Sequence, residues 1–337
     1  MLDPQDMRAA IAAFPTHLAD GWTRGGAAAD AGLRIDDLDG VVVCGMGGSA
    51  IGGDLVRCLA EPTAPVPIVV NRGYGLPAWV GEKTLVVASS YSGSTEETLS
   101  ALDVARDRRA RLLAVTSGGT LGDAQLDTVA LPGGMQPRAA LGYSLGVMLR
   151  VARDLGLVAL TDRAFGDSVD AARSRADALG ADGPNPASDL ARALVGTLPV
   201  IYTGVGLLEA AGMRWRTQIH ENAKHPAVGN VLPELDHNEI MGYEAGPSEL
   251  MSRTAVVALR DADDHPQVAK RFDATRALVE GNIAGWHEPA LGGASPLDRV
   301  LHAVQLGDWV SFWLAAEKGV DPTPVDTIQA LKRTLVA

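Results

Sequence analysis

Cysteine is nearly absent from this chain, with two in 337 residues. The positions, Cys44 and Cys58, form neither a disulfide framework nor a metal-ligand spacing, so a reducing compartment is expected and Cys44 reads as a small core residue. Positive charge is also scarce. Lysine and arginine number 29 against 41 acidic residues, a net charge of −12. A balance so acidic argues against broad nucleic-acid binding, and any anionic ligand has to be captured by local groups. No apolar run approaches the roughly 20 residues that span a bilayer. The opening MLDPQDMRAAIAAF carries acidic residues and no sustained apolar core, so it is not read as a signal peptide. A cytoplasmic protein with no membrane partner is the expectation.

What the chain does have is 47 % apolar residues and 38 glycines, a composition that suits an α/β protein with many strand-to-helix turns. Short β-rich runs occur at Gly40–Gly45, Pro65–Asn71, Thr84–Ser90 and Arg111–Ser117, with a weaker one at Asp127–Pro132. They are apolar throughout rather than alternating, which predicts parallel strands buried on both faces. A polar stretch rich in Asp, Ala, Gly and Pro, partly of helical character, follows. The pattern then restarts at Thr197–Gly206 and Thr254–Asp261, with a weaker candidate in GNIAGWHEP. We therefore divide the chain into residues 1–160, a connecting segment 161–190, and residues 191–337. Pro322 and Pro324 precede a terminal stretch of helical spacing.

The turn GMGGSAIGGD after the first strand admits several ligands. Gly45, Gly47 and Ala50 satisfy a GxGxx[GA] pattern, but the acidic partner expected about 20 residues on is replaced by Asn71 and Arg72. That lowers a dinucleotide reading, while Arg72 leaves an NADP variant open. A P-loop fits less well, because no GK[ST] follows. The third strand runs directly into SYSGSTEET, placing Ser90, Ser92, Ser94 and Thr95 at a strand end and a helix start. Backbone N–H groups, the positive end of the helix dipole and neutral hydroxyls suit a phosphate monoester. A Ser/Thr helix cap alone would also explain that turn. Ser49 on the adjacent turn favours the phosphate pocket, since open α/β sheets bind ligands at this edge.

The stretch QIHENAKHPAVGNVLPELDHNEI, 218–240, is dense in proton-transferring groups. His220 and His225 stand five apart rather than four, which puts them on different helix faces and argues against zinc. Glu221 is the natural general base, and His237, after a Pro-containing loop, is placed to open a sugar ring, as aldose–ketose isomerisation requires. Each has a plainer explanation, a surface helix residue and a loop-bonding histidine; the density of chemistry in one loop weighs against both. Arg138, at a helix start, is suited to stabilise an enediolate. Lys332, in the terminal helix, reads from position alone as a solvated charge.

These motifs, GMGGSAIGGD, SYSGSTEET, PRAAL, HENAKHPAVGNVLPELDHNEI and the lysine-bearing terminal helix, together resemble the bifunctional phosphoglucose/phosphomannose isomerases of the sugar isomerase (SIS) superfamily. The resemblance implies two tandem SIS-type domains, each a parallel sheet flanked by helices, and a homodimer with active sites between subunits. It implies a sugar phosphate held by Gly47, Gly48, Ser49, Ser90, Ser92 and Thr95, with no metal and no cofactor. Glu221 would be the base, Arg138 the enediolate stabiliser, and His237 of the other subunit with Lys332 the ring-opening pair. A threonine accommodating both epimers would be Thr323 or Thr327. A non-catalytic sugar-phosphate sensor and an isomerase of another phosphosugar remain the alternatives.

Overall fold

The structure is a computed structural model that describes residues 2–32 and 34–336. The apolar runs form two parallel sheets. The first comprises β1 (Gly40–Cys44), β2 (Ile68–Asn71), β3 (Thr84–Ser90), β4 (Arg111–Thr116) and β5 (Thr128–Ala130), in the order β2-β1-β3-β4-β5. The second comprises β6 (Leu198–Gly204), β7 (Val228–Leu232), β8 (Thr254–Leu259) and β9 (Gly285–His287), in the order β7-β6-β8-β9. Every residue of β1, β3 and β8 is buried, as continuous apolar runs covered on both faces require. In each sheet the order reverses beside the first strand, creating a crevice at the carboxyl ends of β1 and β3 and its counterpart at β6 and β8.

Two differences from the sequence reading stand out. The polar stretch read as partly helical is helical through most of its length, first Asp162–Gly180 and then a helix beginning at Pro186. The stretch 218–240 is not a single loop: it holds the end of the helix Glu209–Ala223, then β7, then a short 3-10 turn, Glu234–His237. A five-residue strand containing Gly229 and Asn230 gives little apolar signal.

The helix Pro296–Glu317 is the central post. Its residues from Leu297 to Ala315 are almost all buried, so it reads as apolar on every side. It receives hydrogen bonds that tie both flanks to it: Trp215 Nε1 donates to Ala303 O at 2.7 Å, and its own Trp313 Nε1 donates to Leu179 O at 2.9 Å. Within this packing Arg214 and Asp308 form a bidentate ion pair, both contacts 2.8 Å, with side chains 3 % and 4 % exposed. Burial pushes the Asp308 carboxyl above its usual range, against the pull of Arg214. Among the described residues no helix is long and apolar enough to cross a membrane.

Removing one partner of such a pair leaves a buried charge uncompensated. Asp308→Asn is expected to cost about 3–5 kcal/mol in urea denaturation; a loss below about 1 kcal/mol would mean that the pair is not a structural tie.

Candidate active site

The glycine turn follows β1 and opens the helix Gly47–Ala60. Gly47 has φ 51°, a left-handed conformation that suits glycine. No side chain caps this helix start, so its first N–H groups are available to an anion. Ser49 is half-buried in the same first turn. The next turn leaves β3 at Ser90, which is buried. Its Oγ lies 2.7 Å from Thr95 Oγ1 and accepts from Gly93 N–H at 3.1 Å. Thr95 is the N-cap of the helix Glu96–Asp107 and does not use its own side chain as a cap, and Ser92 is exposed at the tip. Since β1 and β3 are paired side by side, these two hydroxyl-bearing helix starts share one crevice. Tight folding of the serine turn depends on Gly93, whose φ is 69° and where a Cβ would stand 1.7 Å from Gly118 O.

The crevice continues toward Arg138 and Glu221. A Cβ on Gly48 would lie 3.3 Å from Pro137 O and 3.6 Å from the Cα of Arg138, so the absence of a side chain lets this segment close on the glycine turn. Arg138 is 4 % exposed. Its Nε donates to Asn222 Oδ1 at 2.7 Å, its Nη2 to Pro322 O at 2.7 Å and Thr323 O at 2.8 Å, and its Nη1 lies 3.5 Å from Glu221 Oε2. Burial disfavours the Arg138 charge, and the Glu221 carboxylate restores part of it. Glu221 itself is 29 % exposed, in the last turn of the helix Glu209–Ala223. Hence Arg138 and Glu221, 83 residues apart in sequence by subtraction of their numbers, meet beside the glycine turn.

His237 and Lys332 are not brought to this point within one chain. The helix carrying Glu221 ends at the amino edge of the second sheet, whereas His237 follows the carboxyl end of β7. A strand of five residues spans about 16 Å, so the two lie on opposite edges. His237 is exposed and forms no side-chain hydrogen bond among the described residues. Lys332 is exposed on the terminal helix, Asp326–Val336, whose apolar residues Ile328, Leu331 and Leu335 are 40 %, 59 % and 70 % exposed. Thr323 is 2 % exposed with an unpartnered Oγ1 next to Arg138, and Thr327 is exposed.

The other two histidines of the 218–240 stretch hold backbone. His220 Nε2 lies 2.9 Å from Ala227 O and 3.1 Å from Ala227 N. His225 Nε2 donates to Thr197 O at 2.6 Å while Nδ1 accepts from Lys318 Nζ at 3.1 Å. Sequence reasoning missed Asn222 and Lys224. Lys224 Nζ donates to Glu221 O and Pro322 O, each at 2.8 Å. Its sequence signal is a lysine closing a helix, where carbonyls lack partners. A separate cavity of about 480 Å³ opens at the carboxyl edge of the second sheet, lined in part by Leu160, Val205, Leu207, Asp261 and Arg299, and contains none of the candidate site residues.

Tandem parallel sheets flanked by helices, with hydroxyl-bearing helix starts at one switch point and a buried arginine facing a carboxylate beside them, place the protein in the SIS fold class. The tagatose-6-phosphate ketose/aldose isomerase of Escherichia coli superposes with a TM-score of 0.69 over 93 % of each chain, at 15 % identity. Residues 184–335 match the family described as the bacterial phospho-glucose isomerase C-terminal SIS domain. The bifunctional phosphoglucose/phosphomannose isomerase of Caldicellulosiruptor bescii is 41 % identical over 90 % of this chain and 91 % of its own. That of Aquifex aeolicus is 36 % identical over 91 % and 93 %. The chain belongs to the bifunctional phosphoglucose/phosphomannose isomerase family.

Gly93→Ala is expected to destabilise the protein by more than about 2 kcal/mol, because backbone strain and a clash with Gly118 O act together. Gly196→Ala, at φ 75° but facing open space, is the control and should cost about 1 kcal/mol. Equal losses in urea melts would mean that the serine turn is not sterically locked.

Proposed function

We propose that this protein interconverts glucose 6-phosphate, mannose 6-phosphate and fructose 6-phosphate through a cis-enediolate, without a metal or cofactor. The observation that carries the reading is the Arg138–Glu221 contact at 3.5 Å, set against the glycine turn through Gly48. A phosphate held by the helix start at Gly47, Gly48 and Ser49 and by Ser90, Ser92 and Thr95 leaves the sugar chain extending toward Arg138. Glu221 takes the proton from C2 of the open-chain aldose, and the C2–H electron pair forms the enediolate double bond. As that bond forms the C1 carbonyl pair moves onto O1; the O2 hydroxyl proton passes to O1, the O2 pair forms the C2 carbonyl, and the same carboxyl returns its proton to C1, giving the ketose. Arg138 stabilises the enediolate oxygen by a charge fixed before the reaction begins. In the reverse direction Glu221 protonates C2 on whichever face of the planar intermediate rotation about C2–C3 turns toward it, so glucose and mannose epimers share one intermediate.

Ring opening falls to His237 and Lys332, in a homodimer whose subunits complete each other's sites. The separation of His237 from Glu221 across β7 supports this. So does the exposed apolar stripe Ile328, Leu331 and Leu335, because Lys332 stands one turn beyond Ile328 and borders that stripe. A second copy covering the stripe would carry Lys332 into an interface. The unpartnered hydroxyl of Thr323 beside Arg138 favours Thr323 over Thr327 as the residue facing the sugar. Two buried free thiols, Cys44 and Cys58, support a reducing, cytoplasmic setting, and burial pushes both up to about 11.

Incubation with fructose 6-phosphate in the presence of EDTA, with the aldoses resolved by chromatography, should yield both glucose and mannose 6-phosphates. Binding without either product would favour a sensor or another phosphosugar. Glu221→Gln should lower kcat by about 10²–10⁴ with little change in binding; wild-type turnover would remove Glu221 as the base. Mixing inactive Glu221→Gln and His237→Asn subunits should restore about a quarter of wild-type activity, since half the random dimers then hold one intact composite site. No recovery after verified subunit exchange would place His237 outside its partner's site.

A further inference from the structure

We propose that Lys224 is a positioning residue that latches the hinge of the terminal helix to the helix carrying Glu221, and so sets Lys332 relative to the acid/base pair. The inference rests on the isomerase reading of Glu221 and Lys332. The last carbonyls of an α-helix have no partner within it. In the helix Glu209–Ala223, two lysines share them. Lys224 Nζ donates to Glu221 O at 2.8 Å and Asn222 O at 3.4 Å, and Lys318 Nζ donates to Ala223 O at 2.8 Å and Lys224 O at 3.1 Å. Lys318 reaches on to His225 Nδ1, whereas Lys224 reaches the turn before the terminal helix. Its third contact is Pro322 O at 2.8 Å, the carbonyl that Arg138 Nη2 also holds at 2.7 Å.

Pro322 and Thr323 form the turn from which the terminal helix departs. That helix makes no side-chain hydrogen bond outside itself among the described residues, and most of its described side chains are exposed. Its placement therefore depends on how the turn is fixed. The turn in turn hangs on two cations, and both reach Glu221: Arg138 at its carboxylate, Lys224 at its carbonyl. Lys224 adopts a left-handed backbone, φ 47° and ψ 47°, uncommon for a residue with a side chain. The side chain leaves the helix end toward the turn, and a longer loop there would lose the short contact with Pro322.

The latch titrates. Burial first, and then the Arg138 guanidinium, push the Lys224 ammonium down to about 8, opposed by Asp321, Glu221 and Asp326. The other neighbours are Lys318, which bonds Lys224 O, and His225 beside it. Below about pH 8 the ammonium serves its carbonyls with full charge; as pH rises through about 8 the proton leaves and the charge-assisted bonds weaken. The latch is thus closed at neutral pH and loosens on the alkaline side.

The test compares Lys224→Met, Lys224→Arg and Lys318→Met, reading hydrogen–deuterium exchange of residues 326–336 together with kcat and KM on fructose 6-phosphate. Lys224→Met should speed that exchange several-fold and lower kcat about tenfold, with KM within about threefold, because placement rather than binding is lost. Lys224→Arg should restore most of kcat and remove the alkaline decline near pH 8, since guanidinium keeps its charge. Lys318→Met uncaps the same helix without touching Pro322, and should leave exchange in 326–336 unchanged. Equal effects of both methionine variants would reduce Lys224 to a helix cap and overturn the proposal, as would wild-type exchange and kcat in Lys224→Met. Should Lys224→Met fail to fold, exchange of 326–336 in the unaltered protein between pH 7 and 9 decides: after correction for intrinsic rates, no loss of protection would overturn the latch. The exchange result stands even if the wild type isomerises nothing, in which case the isomerase reading fails by itself.

Discussion

The buried guanidinium of Arg138 is the constraint on which the site depends. Taking that charge out of water is costly unless its donors are satisfied, and here they are divided among three distant stretches of chain. Nε holds Asn222, Nη2 holds the Pro322–Thr323 turn, and Nη1 faces Glu221. The arrangement closes on itself. Arg138 O accepts from Arg214 Nη2 at 3.1 Å, Arg214 pairs with Asp308, Ser311 Oγ donates to Asp308 O, and Asn222 Nδ2 donates to Ser311 Oγ. This circuit passes through both halves and the central post. Replacing Arg214 and Asp308 with apolar side chains of similar volume need not lower stability, but it would release the Arg138 backbone. Here the ion pair matters for position more than for energy.

How much of this was legible in the sequence follows from which interactions are local. Strands β1, β3, β4, β6 and β8 were readable because burial on both faces leaves an unbroken apolar run. The strand β7 was not, because at the sheet's edge a five-residue segment with Gly and Asn needs little apolar character. The helix Asp162–Gly180 buries a narrow stripe, Phe165, Val169, Ala172, Ala176 and Leu179, against the post, and its remaining polar face resembled a linker. Arg138 and Glu221 were readable as chemical types, but their meeting depends on contacts across 83 residues that no local pattern encodes. Asn222 and Lys224 were overlooked for a different reason. Their role lies in backbone carbonyls, at Pro322 and at the helix end, and a carbonyl has no letter in a sequence.

The two sheets share a strand order yet diverge in chemistry. At the carboxyl edge of the first, helix starts offer N–H groups and hydroxyls, with Arg138 behind them. At the same edge of the second stand Asp261, Asp263 and Asp264, with Arg299 bonded to the first two at 3.1 and 2.5 Å. Asp264 occupies the place where a Cβ on Gly204 would fall, 2.6 Å from its Oδ1, and burial raises its pKa. An anion entering there would meet these carboxylates, so the repeated architecture does not repeat the charge of the first sheet's edge. The second half instead contributes from its opposite edge, where the helix Glu209–Ala223 ends. Glu221 thereby reaches the first sheet's crevice from outside, so its carboxylate stands against Arg138 without standing on either of the two helix starts there. Separating the two by domain keeps this carboxylate off the helix starts, where it would repel an anion.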